Sequence, residues 1–516
     1  MSVNKRKNLE AKIDTQRAMG GEARLKKQAS AGKLNARERI ELLFDKDAFQ
    51  ETNLFWRHRI SHFGLDSKEF PAQGVITGYG KIEARSVCAA SQDFTVSGGS
   101  VGEATADKIA QIMKQALQTG TPFIFINDSA GARIQEGVAA LAGYGKIFHT
   151  NVMLSGVVPQ ISIIAGPCAG GASYSPALTD FIIQVKNRGQ LYITGPSVIK
   201  EVTGEVISLE DLGGAMTHAS KSGVSHFVAE DDEDAIRIAK RILSFLPNNN
   251  LEDPPIVEEN TRIPRKAIPA LDSIIPDDPK KAYDVREVIR ALVDHGDFLE
   301  VHELFAPNIV VAFARIEGRS IGIVANQPAV RAGILDCDAS DKAARFVRFC
   351  DAFNIPLVTL VDVPGYMPGS QQESMGIIRH GAKLLYAFSE ASVPKLTVVM
   401  RKAYGGAYIA MCSKTIGADA CAAWPSAEIA VMGASGAVQV LYAKELKAAQ
   451  DPKALSSEKI NEYQEKFANP YESASLGLLD AIIHAQDTRN YLAHALSALQ
   501  AKRERLPSKK HGNIPL

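Results

Sequence analysis

Twice in this chain an apolar, β-branched run leads directly into Gly-Gly-Ala and then into a predicted helix. The first instance reads Ile161-Ser-Ile-Ile164, then Gly166-Pro-Cys-Ala-Gly-Gly-Ala172, with a helix expected near Ser175-Pro176. The second reads Leu396-Thr-Val-Val-Met400, then Lys402-Ala-Tyr-Gly-Gly-Ala407, followed by Tyr408-Ile-Ala-Met411. Glycine permits positive φ and lets another atom approach the peptide closely. At a helix start the first N–H groups have no intrahelical partner and point outward, where they attract negative charge. Two such groups aimed at one oxygen form an oxyanion hole, and each donor can lower a barrier by about 2.7–4 kcal/mol. A Gly-Gly pair can also be no more than a tight strand-to-helix connection. Its recurrence at equivalent points favours chemistry that develops two oxyanions.

Side chains offer less. His380, on a predicted helix, is the best acid–base candidate, with a structural or phosphate-neighbour role the simpler reading. Arg133 follows Gly131 in what reads as an exposed turn, suited to a phosphate or to a surface ion pair. Asp128 and Asp362 end strands and read as helix caps. Gly98-Gly-Ser100-Val-Gly102 fits a serine-hydrolase elbow, but no Asp and His partners follow in a recognisable order and Ile334 stands opposite Ser100 in the second copy. Six cysteines, at 88, 168, 337, 350, 412 and 421, form no Cys-x-x-Cys pair, which argues against a zinc ribbon or redox dithiol; no metal site is expected.

The elements that must position these corners come in duplicate. Gly80-Lys-Ile-Glu-Ala-Arg-Ser86 matches Ala314-Arg-Ile-Glu-Gly-Arg-Ser320, and Thr121-Pro through Asp128 matches Ile355-Pro through Asp362, both 234 residues apart. Gly170-Gly-Ala172 and Gly405-Gly-Ala407 follow at 235, and Arg37-Glu38 through Phe49-x-Glu51 echoes Arg286-Glu287 through Phe298-x-Glu300. The chain therefore reads as two copies of one domain, 1–250 and 281–516. A linker over 251–280 is rich in proline, which removes backbone donors and opposes regular core structure. Buried-strand patterns at Phe123–Ile126 and Leu357–Val361 alternate with amphipathic helices at Asp107–Leu117 and Asp341–Phe353. That alternation predicts an α/β fold with largely parallel pairing.

Lysine plus arginine and aspartate plus glutamate each total 58, so net charge is zero and nothing favours nucleic acid or an anionic membrane. The first 39 residues lack the apolar core of a secretory signal, no long apolar span occurs, and the cysteine usage suits a reducing compartment; a cytoplasmic protein is expected.

On Ser91-Gln-Asp-Phe-Thr-Val-x-Gly-Gly-Ser100, Asp128-Ser-Ala-Gly-Ala-Arg-Ile-Gln-Glu136, Gly166 to Ala172, Ile378-Arg-His-Gly-Ala-Lys383, Arg401 to Ala407 and Trp424 to Gly433, the sequence resembles the carboxyltransferase subunits of biotin-dependent acyl-CoA carboxylases. The ending Lys510 to Leu516 is similar to propionyl-CoA carboxylase β subunits and to the large subunit of methylmalonyl-CoA transcarboxylase. The resemblance implies two crotonase-like domains, a homohexameric core and an active site where copy one of one subunit meets copy two of another. It implies a carboxylate transferred from carboxybiotin to a short acyl-CoA such as propionyl-CoA, with transcarboxylase or decarboxylase subunits as the alternative within the family. By the same implication, the amides of Gly170, Gly171 and Ala172 hold the thioester oxygen, and those of Gly405, Gly406 and Ala407 hold the biotin ureido oxygen. Tyr404 and Ile409 border the biotin pocket and the biotin anion serves as base, while Arg133, read from its turn alone, is placed to reach the coenzyme A phosphates or to make a surface ion pair. No Ala-Met-Lys-Met biotinylation site or ATP-binding glycine loop occurs, so a biotinylated carrier and a biotin carboxylase are expected on other chains.

Overall fold

The computed structural model describes residues 3–259, 267–276, 278–279 and 281–516. They divide into two compact units, Met1–Glu252 and Asp253–Leu516. Unit one is built on an eight-stranded sheet of Gln50–Thr52 (β1), Val75–Ile82 (β2), Arg85–Gln92 (β3), Phe123–Ser129 (β4), Gln160–Ala169 (β5), Phe181–Val185 (β6), Gln190–Tyr192 (β7) and Phe227–Ala229 (β8). Its order is β1-β2-β3-β4-β5-β6-β8, with β7 pairing the far end of β5. The β1–β2–β3 pairs are antiparallel and the rest parallel. Helices Ala36–Leu43 (α1), Glu103–Thr119 (α2), Val138–Leu154 (α3) and the short Gly171–Ala177 (α4) accompany it.

Unit two repeats the plan with Phe298–Val301 (β9), Ile309–Ile316 (β10), Arg319–Asn326 (β11), Leu357–Val363 (β12), Lys395–Tyr404 (β13), Ala420–Ala423 (β14), Glu428–Ala430 (β15) and Ala481–Ile482 (β16). Its order, β16-β14-β13-β12-β11-β10-β9 with β15 on β13, is the first sheet read backwards. Helices Val285–Leu292 (α5), Cys337–Ala352 (α6), Ile377–Glu390 (α7) and Gly405–Ala410 (α8) complete the part that concerns function. The two-copy α/β architecture is the one the repeat predicts. All seven residues of β4 and of β12 are buried, as continuous apolar runs require when both faces are covered. Helix α2 starts four residues before its predicted first residue, and Glu136 accepts its Glu103 N–H at 2.7 Å.

The proline-rich stretch is less detached than its composition suggests. Val257 N–H donates to Gly318 O at 3.0 Å, and Leu271, on the short helix Leu271–Ile274, is fully buried in the unit-two core. Pro264 lies outside the described residues.

Each unit closes its sheet with the same two devices. Arg37 grips Glu51 in a bidentate pair at 2.9 and 3.2 Å; Arg286 grips Glu300 at 2.7 and 2.8 Å. A lysine on the helix after the third strand is buried and caps loop carbonyls. Lys108 Nζ donates to Ala72 O and Val75 O at 3.0 and 2.6 Å. Lys342 Nζ reaches His302 O, Phe305 O, Ala306 O and Ile309 O at 2.8–3.3 Å. Burial pushes both ammonium groups down to about 7, while the ring of carbonyls favours the charged form.

Removing the ammonium takes a donor from buried carbonyls, of which His302 O and Ala306 O keep the N–H groups of Phe305 and Ile309, at about 1–3 kcal/mol for each one left unpaired where water cannot replace it. Lys342→Met should therefore lower stability by about 2–5 kcal/mol. Lys108→Met should cost less because fewer carbonyls lose their donor. Denaturant midpoints at matched protein concentration test the order, and equal losses would show that the cage is not what the lysines provide.

Candidate active site

Both corners sit at the carboxyl end of the long central strand of their sheet. The last residues of β5 leave β6 and pair instead with β7, Ala169 opposite Tyr192. In unit two Tyr404 stands opposite Ala430 in the same way. Beyond this short ladder the chain turns at once into a helix. Gly170 has φ +56° and Gly405 φ +59°, conformations that side-chain-bearing residues rarely adopt. A Cβ on Gly405 would lie 3.0 Å from Val431 O, so the turn also requires a close approach.

The Gly170 N–H is not available to a ligand, because it donates to Tyr192 O at 2.9 Å. The expectation that it serves as an oxyanion donor is corrected on that ground: Gly170 makes the turn, and its carbonyl accepts from Ser173. Gly171 and Ala172 occupy the first turn of α4, where no earlier helical carbonyl can reach their N–H groups. Gly405, Gly406 and Ala407 are the first three residues of α8. A Cβ built on Gly406 meets nothing within 4 Å, so the helix start is open on that side. Against Gly171 the Tyr144 ring stands 3.2 Å from such a Cβ, giving the first corner a firmer back wall.

Beneath each corner lies a carboxylate that the sequence presented as a helix cap and that caps nothing. Asn127 pairs with Ile164 and Ser129 with Cys168, so Asp128 faces a bulge of Ala165, Gly166 and Pro167. Asp362 faces Met400, Arg401 and Lys402 between the pairs Val361–Val399 and Val363–Ala403. Asp362 takes Arg401 Nε at 2.9 Å, Tyr283 Oη at 3.0 Å and the Lys402 N–H at 3.2 Å. Burial, with the neighbouring carboxylate, holds the Tyr283 phenol far above its usual range. Asp128 takes Lys33 and, at 3.0 Å, Arg39 Nη1, and Arg39 continues to Asp232 at 2.7 Å and Ala165 O at 3.2 Å. A Cβ on Gly166 would lie 1.8 Å from Asp128 Oδ1. The first copy thus has no room for the arginine that the second carries at that point, and imports one from α1. Arg39, Asp232, Tyr283 and the role of Arg401 escaped sequence reading. The mismatch of Gly166 with Arg401 was the one available signal.

Arg133 is corrected too. It is 2% exposed, not in an open turn, with Nη1 on Glu136 at 2.8 Å, Nη2 on Ser100 O at 3.0 Å and its guanidinium 4.0 Å from the Phe70 ring centre. It braces the loop and offers nothing to a phosphate. Ser100 has Ser97 Oγ at 3.3 Å and Arg133 Nε at 3.4 Å around its hydroxyl, and a guanidinium cannot take a proton from a nucleophile. His380 sits in an ion cluster, Nδ1 2.8 Å from Asp341 and 3.2 Å from Lys383, with Arg379 3.2 Å from Nε2. Tyr404 donates to Glu428, and burial together with that bond pushes its phenol well up, so it stays protonated. Ile409 is 41% exposed on α8, and Val431 and Met432 are exposed on the loop whose Val431 carbonyl closes on Gly405. All six cysteines are free and buried.

Residues 27–514 match the model of the carboxyl transferase domain family. The 12S subunit of methylmalonyl-CoA carboxyltransferase from Propionibacterium freudenreichii subsp. shermanii is 60% identical over 498 residues, covering 96% of this chain and 94% of that protein. The carboxyltransferase subunit of propionyl-CoA carboxylase from Haloferax mediterranei is 55% identical over 497 residues, covering 96% of each. A transcarboxylase 12S crystal structure, described as a hexamer assembly with methylmalonyl-coenzyme A and methylmalonic acid bound, superposes with a TM-score of 0.98 at 58% identity. It covers 100% of this chain and 99% of that one.

Breaking one partner of a buried ion pair costs about 3–5 kcal/mol, mostly by stranding the other charge. Arg401→Met should therefore destabilise unit two by about that amount, and adding Asp362→Asn should restore part of it. A double-mutant cycle by denaturant melts measures the coupling; strictly additive losses would show the pair to be incidental.

Proposed function

This chain belongs to the carboxyl transferase domain family, and on that premise we propose that it moves a carboxylate between carboxybiotin and the α-carbon of a short acyl-CoA, propionyl-CoA giving methylmalonyl-CoA. The chain is a carboxyltransferase of the propionyl-CoA carboxylase and methylmalonyl-CoA transcarboxylase type. The observation that carries the detailed reading is the pair of glycine-led helix starts at matching strand ends.

Gly171 and Ala172 are the amides assigned to the thioester oxygen, where negative charge grows as the α-proton leaves. Gly406 and Ala407 are assigned to the ureido oxygen of biotin, with Gly405 making the turn as Gly170 does. The open space in front of Gly406 suits a planar ring that must come close to the main chain. Bound there, biotin supplies both the carboxyl group and the base. This accords with the side chains around the corners: Tyr404 holds its proton, Arg133 is locked in its loop, and His380 is tied to Asp341. Ile409, Val431 and Met432 give the second corner an apolar rim fitted to short aliphatic groups. The biotin carrier is assigned to another chain, and a hexameric core to this one, on the likeness to the 12S assembly. A transcarboxylase context is the second reading, favoured by the 60% identity to the 12S subunit. No helix among the described residues is long and apolar enough to cross a membrane.

With free biotin, the purified protein should decarboxylate methylmalonyl-CoA faster than malonyl-CoA or longer-chain analogues; a reversed ranking would reassign the acyl group. Copurification with a biotinylated, ATP-using subunit chooses carboxylase over transcarboxylase. Gly406→Val places its side chain in free space before the amides. By obstructing the ligand's approach to those amides it should cut turnover at least as much as losing one oxyanion donor, about 10²-fold or more. Circular dichroism and gel filtration should match the parent protein. Undiminished turnover in that variant would remove the biotin-side assignment.

A further inference from the structure

Unit two contains a cavity of about 190 Å³ at the edge of its sheet opposite the Gly405 corner. It is lined where the parallel strands begin: Arg319 and Ser320 open β11, Pro356 precedes β12, and Val393 and Pro394 precede β13. At ~3.3 Å rise per residue, the ten residues of β13 put roughly 30 Å between the two ends. Reaction sites in open α/β sheets gather at the carboxyl ends of strands. A cavity at the amino ends is a separate feature.

Two polar groups there are without partners among the described residues. Ser320 is 2% exposed and its buried hydroxyl has no hydrogen bond. Arg319 makes no ion pair, whereas the other cations lining the cavity are engaged: Lys502 with Asp419 at 2.9 Å and Glu504 at 3.0 Å, Arg503 with Asp253 at 3.5 Å. The one uncommitted charge is therefore positive. Val393, Pro356 and Leu496 add an apolar wall. The volume is that of a small molecule, since cavities near 150 Å³ accommodate benzene. Asp253 and Glu504 on the lining would repel a dianion such as phosphate.

We propose that this cavity binds a small aliphatic monocarboxylic acid, its carboxylate on Arg319 and its carbon body against Val393 and Leu496. The inference stands on unit two alone and does not depend on which acyl group the corners handle.

Ligand-observed NMR titration of the full-length protein with isobutyrate, and with neutral isobutyramide as control, tests it. Isobutyrate should saturate in the millimolar range and the amide should bind at least about tenfold more weakly, as a charge-assisted contact requires. Arg319→Gln, which disturbs no ion pair, should weaken isobutyrate by about tenfold or more. Gly406→Val should leave binding unchanged, since it alters only the distant corner. The proposal is overturned by absence of saturable binding, by equal affinity for acid and amide, by an Arg319→Gln variant that binds as before, or by loss of binding in Gly406→Val.

Discussion

A carboxylate buried inside a strand bulge is the constraint on which each half of this protein depends. The long strand must carry two more residues than its neighbour so that its end can change partners, from β6 to β7 or from β14 to β15, and deliver the glycine corner at the right height. Extra residues in the middle of a covered sheet leave peptide groups without ladder partners, which a folded interior does not tolerate. Asp362 answers the Lys402 N–H, and Ser426 answers the Met400 carbonyl. In unit one the Ala165 carbonyl, at the matching point, is answered by Arg39. The aspartates are themselves fixed from the opposite side. Gln92 Oε1 accepts the Asp128 N–H at 3.0 Å, and Asn326 Oδ1 accepts the Asp362 N–H at 3.2 Å.

The two solutions show how duplicated domains diverge without losing their geometry. A guanidinium is required beside each aspartate, and its source is free to vary. In unit two it comes from the bulge itself as Arg401, with Tyr283 sharing the carboxylate. In unit one it arrives from α1 as Arg39, and position 166 is a glycine, where a Cβ would meet the Asp128 carboxylate and the Lys33 ammonium. The Arg–Glu pairs and buried lysines have not exchanged sources, because their partners are backbone and immediate neighbours. What differs at the corners is the half-buried residue before each glycine: Ala169 before the first, Tyr404 before the second. One scaffold thereby presents two chemically distinct approaches to similar amides.

The repeat, the strand cores and the glycine turns were legible in the sequence because they are local or periodic. Phe123–Ile126 and Leu357–Val361 are continuous apolar runs, and the Gly-Gly-Ala motifs recur in register. Long-range polar partnership was not legible. Asp128 finds Arg39, 89 positions away, and Arg39 finds Asp232, 193 positions away; no local pattern marks such meetings. Arg133 looked solvent-facing because arginine after a glycine turn usually is; here Phe70 and Glu136 enclose it. Whether Gly170 could donate was also beyond a linear reading, since its N–H is taken by a strand that begins twenty residues later.

Under the proposed reading, the catalytic donors are peptide groups, and the brevity of their helices says where the effect comes from. Helices α4 and α8 have seven and six residues, and the first contains Pro176. The influence of a helix dipole is confined to its terminal turn, so neither helix adds much beyond the N–H groups that face the ligand. The favourable term is then short-range and depends on angle and distance, both held by the corner and by the bulge beneath it. Electrostatic catalysis of this kind requires donors already oriented before charge appears. A positive-φ glycine turn, a short ladder and a buried ion pair supply that orientation without a catalytic side chain, and this is why the sequence reveals no convincing acid–base cluster.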